Sequence, residues 1–388
     1  MNQVSKRKIC FPITSRIHYA RQKHLLKLLN EHPDIELQLI IGGSVTLEKY
    51  GQQFMPEIKN SGIKIFDTLY NVIDGGNHLT MAKTAGLTSL EIANSLYKLD
   101  PDIVIIRGDR FEKLAMAMSA AYLNKTIAHI EGGDLTGTID ESVRHAITKL
   151  AHIHFATNEA SKNRIIRMGE NPETVFDVGS PDVEFASLVK KEIDPNIVNS
   201  IGTGKIIDFN KAYIMVMFHP VTTENNNRES MEKLLEVVDL LNLQAIWFWP
   251  NSDAGTDEMA KAIRVYRELG KLENNNIRFI TDILPEDFIA LLKNSSMMVG
   301  NSSAGIKECS YFGVPVVNIG TRQAKRLRAE NVLDVDCETD NIIRAIEKQL
   351  KNGKYLKSNL YYKENTSKKI CEVLSAIPLY KQKNFYNG

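Results

Sequence analysis

The chain has 388 residues, 43% hydrophobic and 24% charged, with a formal net charge of +1. That length exceeds one compact domain and fits two. The balanced charge excludes a global field that would recruit nucleic acid or an acidic surface, so any anionic ligand must be held locally.

No apolar run approaches the ~20 residues of a membrane span. The polar start, Met1 to Lys8, does not read as a secretory signal. Four widely spaced cysteines (Cys10, Cys309, Cys337, Cys371) read as free thiols of a reducing cytoplasm.

Short apolar runs alternate with helical patterns, which predicts βαβ units and parallel sheets. The first half offers strands over Ile9–Ile13, Glu36–Ile41, Ile63–Phe66, Ile103–Ile106, Thr126–Ile130, Ile153–Ala156 and Thr174–Val178. Helices are predicted over Ala20–Leu29, Leu87–Leu99, Glu112–Leu123, Glu141–Leu150 and Glu159–Met168. Leu87, Leu90, Ala93, Leu96 and Leu99 read as a core face. A polar stretch from Lys190 to Lys211 reads as a domain connection. A second series of strands follows over Tyr213–Phe218, Ala245–Trp249, Arg278–Ile280, Met297–Val299, Val314–Ile319 and Val332–Val335. Its helices are expected over Met231–Leu241, Asp257–Leu269, Glu286–Lys293 and Asn341–Leu350. Thr366–Leu379 reads as a closing helix, and Lys381–Gly388 as a fraying tail. The expected fold class is α/β, with two Rossmann-like, doubly wound domains facing a cleft. The expected units are 1–185, 186–365 and the closing 366–388.

In an open parallel sheet, ligands bind beyond the carboxyl ends of the strands. Three carboxylates fall there or at a following helix start: Asp109 in G-D-R, Glu131 in E-G-G-D, and Asp140 opening D-E-S-V-R-H-A-I-T-K-L. Clustered acids repel, so a functional reason is the better explanation. Asp109 with Arg110 also fits a structural pair, and Asp140 also fits an N-cap. Glu141, Arg144 and His145 share one turn and stand close enough to pair. His152-x-His154 puts two imidazoles on one strand face, but no third ligand is suitably spaced, so a metal is not expected.

The first loop, I-T-S-R-I-H-Y-A-R, offers Ser15 and Arg16 to an anion but lacks the dinucleotide glycine pattern. Ser15 fits a plain N-cap equally well. The second half supplies His219 in F-H-P-V-T-T-E and Asn251 in W-P-N-S-D-A-G. In G-N-S-S-A-G-I-K-E, Ser302 and Ser303 at a helix start make an anion site, while an ordinary capped helix with Asn301 or Ser302 as N-cap explains the serines but not the whole cluster. Glu308, one turn on, could accept paired hydrogen bonds from vicinal hydroxyls such as those of ribose. G-T-R-Q adds Arg322.

Together these motifs resemble the hydrolysing branch of the UDP-N-acetylglucosamine 2-epimerase family, from Ile9 to about Val335. H-I-E-G-G-D-L-T-G-T-I-D-E-S-V-R-H-A-I-T-K-L-A-H is the most diagnostic segment. The resemblance implies two Rossmann-like domains of GT-B-like arrangement, with Asp109, Glu131 and Asp140 as catalytic carboxylates. It implies Arg16, Arg110, His219, Asn251, Ser302, Ser303, Glu308 and Arg322 as substrate and UDP contacts, and Glu184 near the sugar. Where the family commonly reads R-A-[DE]-Y-[SG], this chain has R-I-H-Y-A, so His18 and Ala20 depart from the pattern.

The implied reaction releases N-acetylmannosamine and UDP by elimination to a 2-acetamidoglucal and rehydration. It starts sialic or related nonulosonic acid synthesis and needs no NAD, flavin or metal. The same reaction on UDP-2,4-diacetamido-2,4,6-trideoxyglucose, on the legionaminic acid route, is the nearest alternative. A glycosyltransferase of this architecture and a non-catalytic UDP-sugar sensor fit the three acids less well. The resemblance also implies a UDP-sugar partner and a homodimer or homotetramer in the cytoplasm.

Overall fold

Strand β1 (Arg7–Ile13) pairs in parallel with β2 (Ile35–Ile41) on one side and β4 (Ile103–Arg107) on the other. With β3 (Ile65–Thr68), β5 (Thr126–Ile130), β6 (Ile153–Ala156) and β7 (Val175–Asp177), they form a seven-stranded parallel sheet ordered β3-β2-β1-β4-β5-β6-β7. Ile103, Val104, Ile105 and Ile106 are all buried, as expected where helices cover both faces of a parallel sheet. The computed structural model describes residues 6–47, 54–251, 253–270, 276–379 and 382–387. Ser252, Lys381 and Gly388 of the motifs above lie outside the described residues, as do residues 1–5.

The helices of this half are α1 (Arg16–Glu31), α2 (Phe54–Asn60), α3 (His78–Leu99), α4 (Phe111–Tyr122), α5 (Ile139–Leu150), α6 (Glu159–Arg167) and α7 (Pro181–Leu188). Strand order reverses between β1 and β4, which opens a crevice at their carboxyl ends. The Ser15 and Asp109 turns stand at that switch point, with Glu131 one strand along.

α8 (Pro195–Ser200) and the short β8 (Thr203–Gly204) precede a second sheet of β9 (Ile214–Met217), β10 (Ala245–Phe248), β11 (Ile277–Ile280), β12 (Met297–Gly300), β13 (Val316–Ile319) and β14 (Val332–Val335). Its order is β14-β13-β12-β9-β10-β11-β8, parallel except for the β8 edge. The switch here falls between β12 and β9. The loops carrying His219 and Ser302 therefore face the first domain's crevice. α9 (Asn227–Leu240), α10 (Thr256–Glu268), α11 (Pro285–Asn294), α12 (Ser303–Ile306), α13 (Glu308–Phe312) and α14 (Thr339–Asn352) complete this half. The chain then returns, and α15 (Thr366–Ala376) buries Ile370, Cys371 and Leu374 in the first domain's core.

Four expectations from sequence need correction. β3 lies two residues later than Ile63–Phe66. The buried stripe of α3 is Thr84, Thr88, Ile92, Ser95 and Leu96, while Leu90 is 68% exposed. A strict three-residue spacing loses about 60° per step on a helix of 3.6 residues per turn, so it spirals off any one face. The Lys190–Lys211 stretch is no bare connection, because the Arg278 guanidinium donates to carbonyls of Val198, Asn199, Ile201 and Lys205 and fixes it to the second sheet. The tail does not fray throughout: Lys383 donates to Thr148 O and Lys149 O, and the Tyr386 amide to Gly169 O.

Candidate active site

The end of β4 carries a buried cation, Arg107, two residues before Asp109. The Asp109 carboxylate pairs with Arg144, which sits one turn beyond Asp140 on α5 and also donates to Asp134 O at 2.7 Å. Burial pulls the Asp109 carboxyl upward, but Arg144 and Arg326 outweigh it and hold it below its ordinary value.

Glu131 follows β5 with a backbone φ of +70°, a left-handed conformation uncommon for a residue with a Cβ. Such strain concentrates at functional sites because the surroundings must over-determine it. One Glu131 oxygen meets Arg107 at 2.9 Å and the other meets Lys307 of the second domain. Although burial opposes ionisation, these two cations hold the carboxyl well below the ordinary range.

Asp140 is not the N-cap of α5. Thr138 caps it, its hydroxyl accepting from the Asp140 amide, so the Asp140 carboxylate is not consumed as a cap. Gly137, just before, packs directly on the second domain. Its amide donates to Arg322 O at 3.2 Å, and a Cβ there would lie 1.8 Å from Thr321 O. That approach sets Asp140 among Asp109, Asp253, Arg322 and Arg144. Burial, then repulsion from Asp109 and Asp253, raises its carboxyl to about 6. Glu141 and Arg144 do not pair: Glu141 accepts from the Thr136 amide while Arg144 is taken by Asp109.

The opposite wall comes from the second domain. Asn301 joins the ends of β9 and β12, exchanging hydrogen bonds of 2.8 Å each way with the His219 backbone. His219 Nδ1 accepts from the Asn251 amide at 3.2 Å, leaving the proton on Nε2. Burial and Arg322 lower this imidazole to about 3, so it is neutral. Ser302 caps α12, its hydroxyl accepting from the Ala304 amide. α12 has only four residues, so this loop offers the Ser302 and Ser303 hydroxyls more than a helix dipole. Arg322 donates to Asn301 O at 3.2 Å and approaches Asp253.

Basic side chains of the first domain cross to meet this wall. Arg16 pairs with Asp282, Arg110 with Asp253 at 2.9 Å, and Arg21 with Glu308 at 3.1 Å. Between the walls lies a cavity of about 250 Å³. Its lining includes Arg16, Asp109, Arg110, Glu131, His219, Asn251, Ser302, Ser303, Glu308 and Arg322, and also His18 of the atypical first loop. Ser15 serves as the N-cap of α1, its hydroxyl accepting from the His18 amide. Apolar residues Phe248, Trp249, Pro250, Ile283 and Phe288 line one end. His152 and His154 serve other partners: His152 Nδ1 accepts from the Ile127 amide and His154 meets Glu170 at 3.1 Å.

Glu184 does not reach this cavity. It is buried, and its carboxylate accepts from the Ser367 amide and hydroxyl at the start of α15. The acid of G-S-P-D-V-E that lines the cleft is Asp182, bonded to Arg107 at 2.6 Å and raised by burial to about 6. Sequence reasoning passed over Asp182, Arg107, Lys307 and Arg21. For Arg107 a signal existed, namely a charge ending a buried apolar run. Lys307 was equally visible inside G-N-S-S-A-G-I-K-E.

Residues 27–375 match the family described as UDP-N-acetylglucosamine 2-epimerase. A UDP-N,N'-diacetylbacillosamine 2-epimerase (hydrolyzing) from Legionella pneumophila is 35% identical over 377 residues, 97% of each chain. A UDP-N-acetylglucosamine 2-epimerase from Neisseria meningitidis is 34% identical, covering 90% of this chain and 89% of that one. Among solved structures, the Methanocaldococcus jannaschii UDP-GlcNAc 2-epimerase in complex with UDP-GlcNAc and UDP superposes with a TM-score of 0.78. It is 20% identical and is covered over 95% of this chain and 99% of that one. The two-sheet fold and the match along nearly the whole length agree, and the chain belongs to the UDP-N-acetylglucosamine 2-epimerase family.

Proposed function

We propose that this protein is a hydrolysing 2-epimerase that converts UDP-N-acetylglucosamine and water to N-acetylmannosamine and UDP. The observation that carries this reading is the convergence in the cavity lining of Asp109 and Glu131, both paired with cations, with the titratable Asp140 beside Asp109 just outside that lining. Proton transfer near neutral pH needs a group that changes state there. A cationic transition state needs anions that do not.

The sugar C2 proton is not acidified by a carbonyl, so its removal must accompany departure of UDP from C1. In this reading Asp140 takes that proton as the C1–O bond breaks, giving the 2-acetamidoglucal and UDP. Asp109 and Glu131 stabilise positive charge at C1. Arg16, Arg322, neutral His219 and the hydroxyls of Ser302 and Ser303 hold the departing diphosphate. Water then adds across the glucal, its oxygen to C1 and a solvent-derived proton to C2 on the opposite face, and Asp140 returns its proton to solvent. Glu308 would hold the ribose hydroxyls once Arg21 gives way, and Arg110 keeps the Asp253 side of the wall in place. Residues 1–185 carry the acids, 186–365 hold UDP, and 366–388 close the first domain. The four unbridged cysteines suit a cytoplasmic enzyme. Among the described residues no helix is long and apolar enough to cross a membrane.

Incubation with UDP-N-acetylglucosamine in deuterium oxide tests the reading. Free N-acetylmannosamine carrying deuterium at C2, with stoichiometric UDP, is expected. A UDP-bound 2-epimer as sole product would replace the hydrolysing reading with a non-hydrolysing one. A second substrate is favoured by the Legionella pneumophila relative, whose name specifies UDP-N,N'-diacetylbacillosamine. Parallel turnover of both UDP-sugars decides between them. A negligible rate on UDP-N-acetylglucosamine would transfer the assignment to the diacetamido sugar.

A further inference from the structure

His129 lies on β5, wholly buried and beneath the cavity, and it is not among the cavity-lining residues. Its Nε2 stands 3.1 Å from Gly108 O and its Nδ1 3.1 Å from Thr148 Oγ1. A carbonyl only accepts, so the proton sits on Nε2, and Nδ1 shares the single Thr148 hydroxyl proton with Arg144 O, which lies 3.1 Å from the same oxygen. Burial keeps the ring neutral, lowering it to about 3. A third element also presses on it. A Cβ built on Gly132 would lie 3.0 Å from His129 Nδ1 and 3.0 Å from Thr148 Oγ1.

Each contact belongs to a different acid-bearing segment. Gly108 precedes Asp109, Gly132 follows Glu131, and Thr148 lies on α5 one turn beyond Arg144 and two beyond Asp140. Among the described residues no backbone hydrogen bond joins the turn after β4 to α5, so side chains set the distance between Asp109 and Asp140: the Arg144–Asp109 pair at the cleft and His129 beneath it.

We infer that His129 is a positioning residue that fixes the three carboxylates relative to one another, bridging the Asp109 turn to the Asp140 helix against the Gly132 backbone. The inference rests on the proposed 2-epimerase reaction. It predicts an effect confined to the chemical step, because the UDP contacts lie on other loops. A displacement of about 1 Å at reacting groups can cost ~10²-fold in rate.

The test compares His129→Phe, His129→Gln and Thr148→Val with the parent enzyme. Released UDP gives kcat and KM, calorimetry with UDP gives Kd, and a thermal melt reports folding. His129→Phe fills the site but makes neither bond, so kcat should fall by about 10²-fold with KM and UDP affinity within about threefold. His129→Gln can place an amide donor near Nε2 and should restore kcat to within about tenfold of the parent. Thr148→Val, nearly isosteric, should lower kcat several-fold at unchanged KM, and it carries the test if His129→Phe does not fold. Parental kcat in Thr148→Val and in the folded His129 variants overturns the inference. So does equal impairment by Phe and Gln, or a kcat loss that merely tracks the unfolded fraction. A parent enzyme that releases neither sugar nor UDP overturns the reaction itself, which separates that failure from this one.

Discussion

Lys307 of the second domain inserts its ammonium between Glu131 and Asp134 of the first, and all three residues are buried. Arg107 already pairs with Glu131 inside the first domain, and closure of the cleft adds Lys307 as its second cation. Removing one partner of a buried pair costs ~3–5 kcal/mol because the other charge is left uncompensated. Arg107 still holds Glu131, so the lower end applies. Lys307→Met should reduce kcat/KM by about 10²-fold and lower Tm, whereas Lys307→Arg should keep most activity. Parental kinetics and Tm in Lys307→Met would show the pair to be idle.

Asp140 sets the expected pH dependence. Its folded value of about 6 lies above the ordinary 3.8. The folded chain therefore binds that proton more tightly, and the stability gained is present below pH 3.8 and lost as pH rises through 6. Asp109 and Glu131 have the opposite sign: their stability is present above their ordinary values and lost on acidification. In the proposed reaction Asp140 accepts the C2 proton and must be ionised, so kcat should rise with pH through about 6. Asp140→Asn should remove that limb and at least ~10²-fold of activity, while melting higher than the parent at pH 7. A parental pH profile in Asp140→Asn would reassign the base.

Glu184 and Asp182 should separate cleanly. Glu184→Gln loses a charged cap on α15 and should cost about 1–2 kcal/mol in a denaturant melt with kcat/KM nearly unchanged. Asp182→Asn should lower kcat/KM by about tenfold or more through Arg107. The reverse pattern in kinetics and melts would restore Glu184 to the site.

His219 is neutral across the physiological range, its imidazole lowered by burial and Arg322. UDP affinity should therefore show no histidine titration between pH 5 and 8. His219→Ala should weaken UDP binding about tenfold by calorimetry. A UDP affinity that rises steeply below pH 6.5, and no longer does so in His219→Ala, would contradict the neutral assignment.

The outer faces of α3 and α4 leave Leu90 and Met118 exposed, with Tyr97 78% and Tyr122 82% exposed. Large apolar side chains clustered on neighbouring helices mark association surfaces. We propose that a second copy covers them, giving the homodimer or half of the homotetramer. Tyr97→Lys with Tyr122→Lys should halve the mass measured by light scattering. An unchanged mass would move the interface elsewhere.

Much of the fold was legible because its signals are local. β5 and β6 span the residues that the runs Thr126–Ile130 and Ile153–Ala156 predict, since a doubly covered parallel strand is mostly apolar, with the buried His129 and His154 each given a hydrogen-bond partner. The turns after these strands followed from the rule that crevices open at their carboxyl ends. α3 misled because its buried stripe uses Thr84, Thr88 and Ser95, whose burial depends on partners. Asn71, for example, donates to Thr88 Oγ1 at 2.5 Å.

The sequence by itself determined the two-sheet architecture and put Asp109, Glu131 and Asp140 at strand ends or a helix start, because strand and turn signals need only neighbouring residues. Only the tertiary structure decided which acids are clamped and which can titrate. It paired Glu131 with Lys307 from 176 residues away, left Asp140 facing Asp109, and turned Glu184 toward Ser367 while Asp182 faced the cleft. Proton affinity depends on charges within a few ångströms and on burial. Those distances exist only once the chain has folded and, for Lys307 and Asp253, only once the two domains have closed on each other.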